Sequence, residues 1–253
     1  MIYVTGDIHG EIDIHKLSNK NWNEAKNLTK DDYLIIMGDF GLPFFNHDIQ
    51  ENGSPAPTAY SFWIRWLSEK PYTILWVDGN HENFNFWDKQ KVTEWHGGKV
   101  QIHPHAKNVI HLMRGEIYEI EGKTFFAFGG AMSHDKHLRK VNETWWQREE
   151  ADASEMQNAL DNLGRYGNKV DYILTHTIPK SIVENSFHFR NTSYTEKFPN
   201  LIMDSVEYQL WFAGHFHVST YFPDNQLMVL YRKILSLDEC NRILNDELTL
   251  NEG

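Results

Sequence analysis

Cysteine is nearly missing from this chain: Cys240 is the one thiol in 253 residues. No disulfide can form within a monomer, and no second soft ligand lies near enough to suggest a zinc finger. Cys240 is read as an ordinary buried packing thiol. Long hydrophobic runs are missing too, since none approaches the roughly 18 residues of a membrane span. Met1 leads straight into Ile2-Tyr3-Val4, with neither a basic n-region nor a long apolar h-region. A cytoplasmic protein with no membrane partner is expected. Positive charge is scarce: 24 Lys and Arg against 35 Asp and Glu leave −11. A general nucleic-acid binder carries a basic surplus, so nucleic acid is not an expected partner. Phosphate substrates stay admissible, because bound cations can reverse the field locally.

The chain is 41% hydrophobic and 14% aromatic, enough to bury a substantial core. Ile2 to Thr5, Tyr33 to Met37, Thr73 to Val77, Val170 to Leu174 and Leu210 to Ala213 are near-continuous apolar runs. Such runs mark strands covered on both faces rather than half-wet ones. Helical patterns lie between the early runs, around Glu11 to Leu28 and Thr58 to Ser68, and this βαβ alternation predicts a parallel sheet. Val109 to Leu112, Glu116 to Ile120 and Lys123 to Phe128 read as a meander turning at Gly122. Ser219 to Phe222 and Leu227 to Leu237 read as closing antiparallel strands. Two sheets packed face to face, with helices outside, accommodate the pattern without a break. No internal repeat or Gly/Ser linker divides it, so residues 1–253 are read as one domain. Two stretches, 40–57 and 129–165, interrupt it and are expected to cap a crevice.

Five short motifs follow apolar runs in order: Asp7-Ile8-His9, Gly38-Asp39, Gly79-Asn80-His81-Glu82, Thr175-His176 and Gly214-His215-Phe216-His217. Asp7 and Asp39 bring two carboxylates, Asn80 one amide oxygen and the histidines five imidazoles, an oxygen and nitrogen donor set for paired divalent cations. At an extended strand end, residues i and i+2 point the same way, so Asp7 with His9, or His215 with His217, can reach one ion. Asp39 has two oxygens and can bridge. Two divalent ions against two carboxylates leave about +2, and a bridging hydroxide about +1, a field that attracts phosphate. Singly, an Asp-x-His or a Gly-Asp turn is uninformative. The conjunction of all five carries the reading.

On these motifs, the chain resembles the calcineurin-like metallophosphoesterase superfamily, from Asp7 to His217. The resemblance implies an α/β (α+β) fold, a four-layer αββα sandwich of two mixed β-sheets flanked by helices. It implies one metal on Asp7, His9, Asp39 and His217, and another on Asp39, Asn80, His176 and His215. His81 would stay off the metals and act on the leaving oxygen, protonating or stabilising it. The implied activity is phosphoester hydrolysis by a dinuclear centre and its bridging hydroxide, with diesters somewhat ahead of monoesters. The cofactors would be two divalent ions, Mn, Fe or Zn, and the partner a small phosphorylated substrate, nucleotides among the candidates.

Protein serine/threonine phosphatases of that superfamily carry Gly-Asp-x-x-Asp-Arg-Gly at the second motif. Here Leu42 and Pro43 stand at the second Asp and the Arg. The bidentate phosphate fork is lost at that site, which disfavours the phosphoprotein branch. Arg139 and Lys136 are candidate replacements for substrate binding, and Asp135 with His134 a candidate supporting pair. Trp145 and Trp146 are expected to pin their loop to the core rather than stack a base. His15, His47, His96, His103, His105, His111, His134, His137 and His188 lack motif context and are read as non-ligands. Two alternatives stand beside the hydrolase. An interaction scaffold that has lost the chemistry would be expected to lack metal. A nuclease would need a local basic track with stacking aromatics.

Overall fold

The computed structural model describes residues 1–187 and 194–250; His188 lies outside them. Thirteen strands among the described residues form two mixed sheets. The first orders its seven strands β13-β1-β2-β3-β6-β5-β4, namely Ile234–Ser236, Ile2–Thr5, Tyr33–Ile36, Thr73–Trp76, Val109–Leu112, Gly98–Ile102 and Val92–Trp95. The second orders six as β11-β12-β10-β9-β8-β7, namely Thr220–Phe222, Leu227–Val229, Leu210–Ala213, Tyr172–Thr175, Lys123–Phe128 and Glu116–Ile120. Strands β1, β2, β3 and β6 run parallel, as do β8, β9, β10 and β12.

Alternation along the strands builds three apolar layers, because successive side chains point to opposite faces. Val4, Ile35, Leu75 and Ile110 of the first sheet meet Phe125, Tyr172, Leu174 and Phe212 of the second. Helix α6 (Leu237–Leu244) adds Cys240 and Ile243 to this inner layer. On the outer face of the first sheet, Tyr3, Leu34 and Trp76 pack under α1 (Ala59–Ser68) and α2 (Phe84–Trp87). On the outer face of the second, Phe126, Ile173 and Trp211 pack under α3 (Ala153–Arg165), α4 (Lys180–Ser186) and α5 (Tyr194–Ser205). The result is the expected sandwich of two sheets between helices. Each fully buried Leu, Ile or Phe stabilises it by roughly 1.5–3 kcal/mol.

Three local expectations are corrected. The stretch from Glu11 to Leu28 holds two short 3₁₀ turns, Ile14–Leu17 and Asn23–Asn27, not a long helix. Its serine and asparagines compete for the backbone, as Asn21 does at the His15 carbonyl. The supposed meander is divided, since β6 joins the first sheet while β7 and β8 form a hairpin in the second. Leu227 to Leu237 is likewise split: β12 lies parallel to β10, and β13 crosses over to pair with β1. The β4–β5 hairpin escaped the sequence because β4 is short and mostly solvated.

Candidate metal centre

All five motifs sit at the carboxyl ends of parallel strands, β1, β2 and β3 on one sheet and β9 and β10 on the other. Crevices at such strand ends are the usual ligand sites of open α/β sheets. Here the strand ends of both sheets bring their donors to one place, beyond the packed inner layer. The donor atoms of Asp7, His9, Asp39 and His217 lie within 4.8 Å of one another, and so do those of Asp39, His176 and His215. Asp39 belongs to both groups. Its Oδ2 lies 3.2 Å from His9 Nε2 and its Oδ1 lies 3.3 Å from His176 Nε2. Asn80 Oδ1 is 3.1 Å from the same His176 nitrogen. His217 Nε2 closes the first group, 3.3 Å from Asp7 Oδ2 and 3.3 Å from His9 Nε2.

Close approach explains two of the motif glycines. A Cβ on Gly79 would collide with the Asp39 carboxylate, and one on Gly214 with the Asp7 carboxylate. The residue before Asn80 and the residue before His215 are therefore confined to glycine.

Asp7 and His176 are fully buried and Asp39 is 1% exposed. Buried carboxylates demand nearby positive charge. Burial works against ionisation of Asp39, yet His176 and His81 outweigh it and hold the carboxylate well below its usual range. Burial also disfavours a charged His176, but Asp39 and Asp7 push it up to about 10. His9 behaves alike, with burial outweighed by Asp39 and Asp7, and rises to about 9. His215 goes the other way: burial and then His176 lower it to about 3. In the protein alone, protons on two imidazoles balance the two carboxylates. Divalent cations among the same atoms would supply that balance more strongly.

Several supporting residues had no role in the sequence reading. Asp13 accepts from His9 Nδ1 at 2.8 Å, and the Met37 carbonyl accepts from His176 Nδ1 at 2.6 Å. Once a cation replaces the Nε2 proton, each would leave the Nε2 lone pair aimed into the cluster, the arrangement that metal-binding histidines use. Asn80 Nδ2 donates to Ser133 Oγ at 3.1 Å, and Ser133 Oγ donates to Glu149 at 2.6 Å, which turns the Asn80 oxygen toward His176. Glu82, fully buried, accepts from the amides of Phe40, Gly41 and Gly79 and so ties the second motif to the third. Burial, reinforced by Asp39, raises Glu82 to about 8 against the pull of those donors. Lys16 Nζ bridges the carbonyls of Gly6, Asp7 and Tyr231 at 2.6–2.9 Å. Contiguity of Glu82 with Asn80-His81 and the four-residue spacing of Asp13 from His9 were the available signals; Ser133 and the Met37 carbonyl meet their partners across 53 and 139 positions.

His81 sits at the edge of the cluster, and its amide donates to Asp39 Oδ1 at 2.8 Å. Arg139 Nη1 and Nη2 lie 3.2 Å from the two ring nitrogens. A neutral imidazole has one free lone pair, so one of these contacts is the hydrogen bond. Asp135 steadies the guanidinium at 2.8 Å. Burial, and then Arg139, lower the His81 pKa against the attraction of Asp39. Lys136 turns away, toward Glu150 at 3.9 Å and the Trp145 ring. Trp146 is buried against Phe44 and Phe84. His134 lies over His215 with ring centroids 6.4 Å apart. No described helix is long and apolar enough to cross a membrane.

A protein from Staphylococcus aureus, provisionally assigned as a 5′-nucleotidase and solved with α-ketoglutarate, is similar to this chain, with 16% identity and a TM-score of 0.48. That match covers 93% of this chain but 50% of the other, so this chain spans about half its length. Phosphopantetheinyl hydrolase from Mycobacterium tuberculosis is 14% identical, with a TM-score of 0.37, over 91% of this chain and 87% of that one. Comparison with curated protein sequences gives no significant match. The family model of the calcineurin-like phosphoesterases matches residues 1–219. With most of its length matched, the chain belongs to the calcineurin-like phosphoesterase family.

Proposed function

We infer that this protein hydrolyses a small phosphoester, monoester or diester, at a dinuclear metal centre. The observation that carries the reading is the double role of Asp39, whose two oxygens face His9 and His176 at 3.2 and 3.3 Å. One cation would be held by Asp7, His9, Asp39 and His217, the other by Asp39, Asn80, His176 and His215. A mixed carboxylate, amide and imidazole set suits Mn, Fe or Zn. When bound, two such ions supply Lewis acidity toward the phosphate and lower the pKa of the water that attacks it.

The remaining work belongs to the chain. Asp13 and the Met37 carbonyl keep His9 and His176 in the tautomer that points Nε2 inward. With its pKa lowered, His81 is a neutral imidazole at pH 7, so it donates a hydrogen bond to the leaving oxygen rather than a full charge. Arg139 accounts for the cation that Leu42 and Pro43 do not provide, binding phosphate oxygens from beside His81. A scaffold without chemistry is disfavoured because all eight positions keep competent atoms. A nuclease is disfavoured by the charge of −11.

The test is metal analysis joined to turnover. Protein purified without chelator should retain two equivalents of transition metal and cleave aryl phosphoesters with added Mn²⁺. Asp39→Asn should lose both metal and activity. A folded wild-type chain inert toward a broad phosphate panel with every common divalent ion would sink the reading.

A further inference from the structure

Next to the cluster, on its His9 and His81 side, lies a cavity of about 440 Å³ built largely by the 40–57 segment and the start of α1. This volume is in the range, about 300–1,000 Å³, of small-molecule sites. Its wall is mostly apolar and aromatic, with Leu42, Phe44, Phe45 and Ile12. Phe45 is 44% exposed and Ile12 73% exposed, so the wall offers apolar surface to an occupant. The Phe45 ring stacks on His47 at 5.0 Å with an interplanar angle of 10°, forming a flat wall. The Phe44 ring lies 6.1 Å from that of His81.

Charge and hydrogen bonding narrow the occupant. No Lys or Arg is among the described residues that line the cavity, while Glu11 and Asp48 are. A second phosphate or a carboxylate would meet repulsion there. The buried polar atoms of the wall are already engaged: Asp48 accepts from Thr58 Oγ1 at 2.8 Å and from the Phe45 amide at 3.0 Å. Tyr60 bonds His103 at 3.0 Å. A ligand here is asked for surface and flatness, not for hydrogen bonds.

We propose that this cavity holds the leaving group of the substrate, and that the preferred substrate joins one phosphate to a flat, uncharged aromatic group. The proposal rests on the phosphoesterase reading above. His9 belongs to both cluster and cavity, and His81, whose amide bonds Asp39 at the cluster's edge, also lines the cavity, so an ester whose phosphate sits at the cluster and whose ring fills the cavity sets its bridging oxygen beside His81. There the P–O bond breaks, water supplies the new P–O bond, and the aromatic alcohol departs with a proton from solvent.

The experiment compares 1-naphthyl, phenyl and 4-carboxyphenyl phosphates on metal-loaded wild type, Phe45→Ala and Ile12→Ala. A separate arm measures binding of 1-naphthol to the same proteins by fluorescence. The alcohols of the first two esters are similar in acidity, so their kcat/KM ratio reports ring contact. Wild type should favour naphthyl over phenyl roughly tenfold, as expected for one added aromatic contact. It should also favour phenyl over 4-carboxyphenyl. Phe45→Ala should bring the naphthyl ratio toward unity and weaken naphthol binding by a similar factor, with Ile12→Ala shifting both the same way. A wild-type ratio near one, or ratios unmoved by both substitutions, overturns the proposal. Should no ester turn over with any metal, the phosphoesterase reading fails by itself. The binding arm then decides the cavity: naphthol affinity that Phe45→Ala weakens supports it, and unchanged affinity overturns it.

Discussion

Replacing Ser133 by alanine should separate the orientation of Asn80 from the stability of the fold. Ser133 Oγ accepts from Asn80 Nδ2 at 3.1 Å and donates to Glu149 Oε2 at 2.6 Å, and all three residues are buried. Alanine leaves an amide N–H and a carboxylate each short of a partner. At roughly 1–3 kcal/mol for each orphaned group, the cost is about 2–6 kcal/mol. A chain of this size loses about 2–4 °C in Tm per kcal/mol, so melting should fall by roughly 4–24 °C. The second effect is specific to the centre. Freed from Ser133, the Asn80 amide can rotate half a turn and present its NH₂, instead of Oδ1, to His176 Nε2 at 3.1 Å. Losing the roughly 1 kcal/mol that sets this orientation should weaken one of the two proposed cation sites about fivefold. Calorimetric titration of metal-stripped protein with Mn²⁺, beside thermal melts, reads both effects. Ser133→Thr, which keeps the hydroxyl, should largely restore the second. A Ser133→Ala protein that melts in the expected range but binds two equivalents with wild-type affinity would refute the orientation argument.

Glu82→Ala orphans three buried amides, at a cost of roughly 3–9 kcal/mol against a total stability of about 5–15 kcal/mol. The variant should melt at least about 6 °C lower, and urea unfolding that matches wild type would contradict the role given to Glu82. Gly214→Ala sets a methyl into the Asp7 carboxylate and the Met37 carbonyl; metal bound per chain, read by elemental analysis, should fall from the proposed two equivalents to one or fewer. Burial, opposed by the Ser133 bond, raises Glu149 from 4.5 to about 7, so the folded chain holds this proton more tightly than the unfolded one. Its contribution to stability is therefore complete below about pH 4.5 and lost as pH rises through about 7. Glu149→Gln does not titrate and should flatten that part of the stability curve in chelator; an unaltered slope counts against the assignment.

The strands that position the centre were legible because both their faces are covered. Val4, Ile35 and Leu75 pack inward while Tyr3, Leu34 and Ile74 pack outward, which leaves unbroken apolar runs with motifs at their ends. Sheet membership was not legible. Only Met113, Arg114 and Gly115 separate β6 from β7, yet the chain changes sheets there, and the packing of whole layers decides that crossing. The supporting residues were hidden for a related reason. Glu82 meets Phe40 across 42 positions and Asn80 meets Ser133 across 53, and no local pattern encodes such pairs. Lys136 and Arg139 looked equivalent in sequence, but the short turn Lys136–Leu138 sends one toward Glu150 and the other toward His81.

Strain at the centre tells how these distant pieces cooperate. His9, Asp39, His215 and His217 take positive φ values of 43°, 48°, 70° and 53°, a region that costs a non-glycine residue about 1 kcal/mol or more. Each motif is held there by a neighbour from elsewhere in the chain. The Asp39 carbonyl accepts the amides of Ile8 and His9 at 3.2 and 2.7 Å. Its carboxylate accepts the His81 amide at 2.8 Å. The Asp7 carboxylate takes the His215 amide at 3.0 Å, and the His176 carbonyl takes that of Gly214 at 2.9 Å. Asp7 and Asp39 therefore do two jobs, offering oxygens to the cluster and clamping the strained turns that carry its other donors. A substitution at either removes donor atoms and also loosens the turn beside it. The effects of these positions should consequently combine as one unit rather than add, because the same hydrogen bonds that keep the strand ends bent also bring the imidazoles of the two sheets within reach of one another.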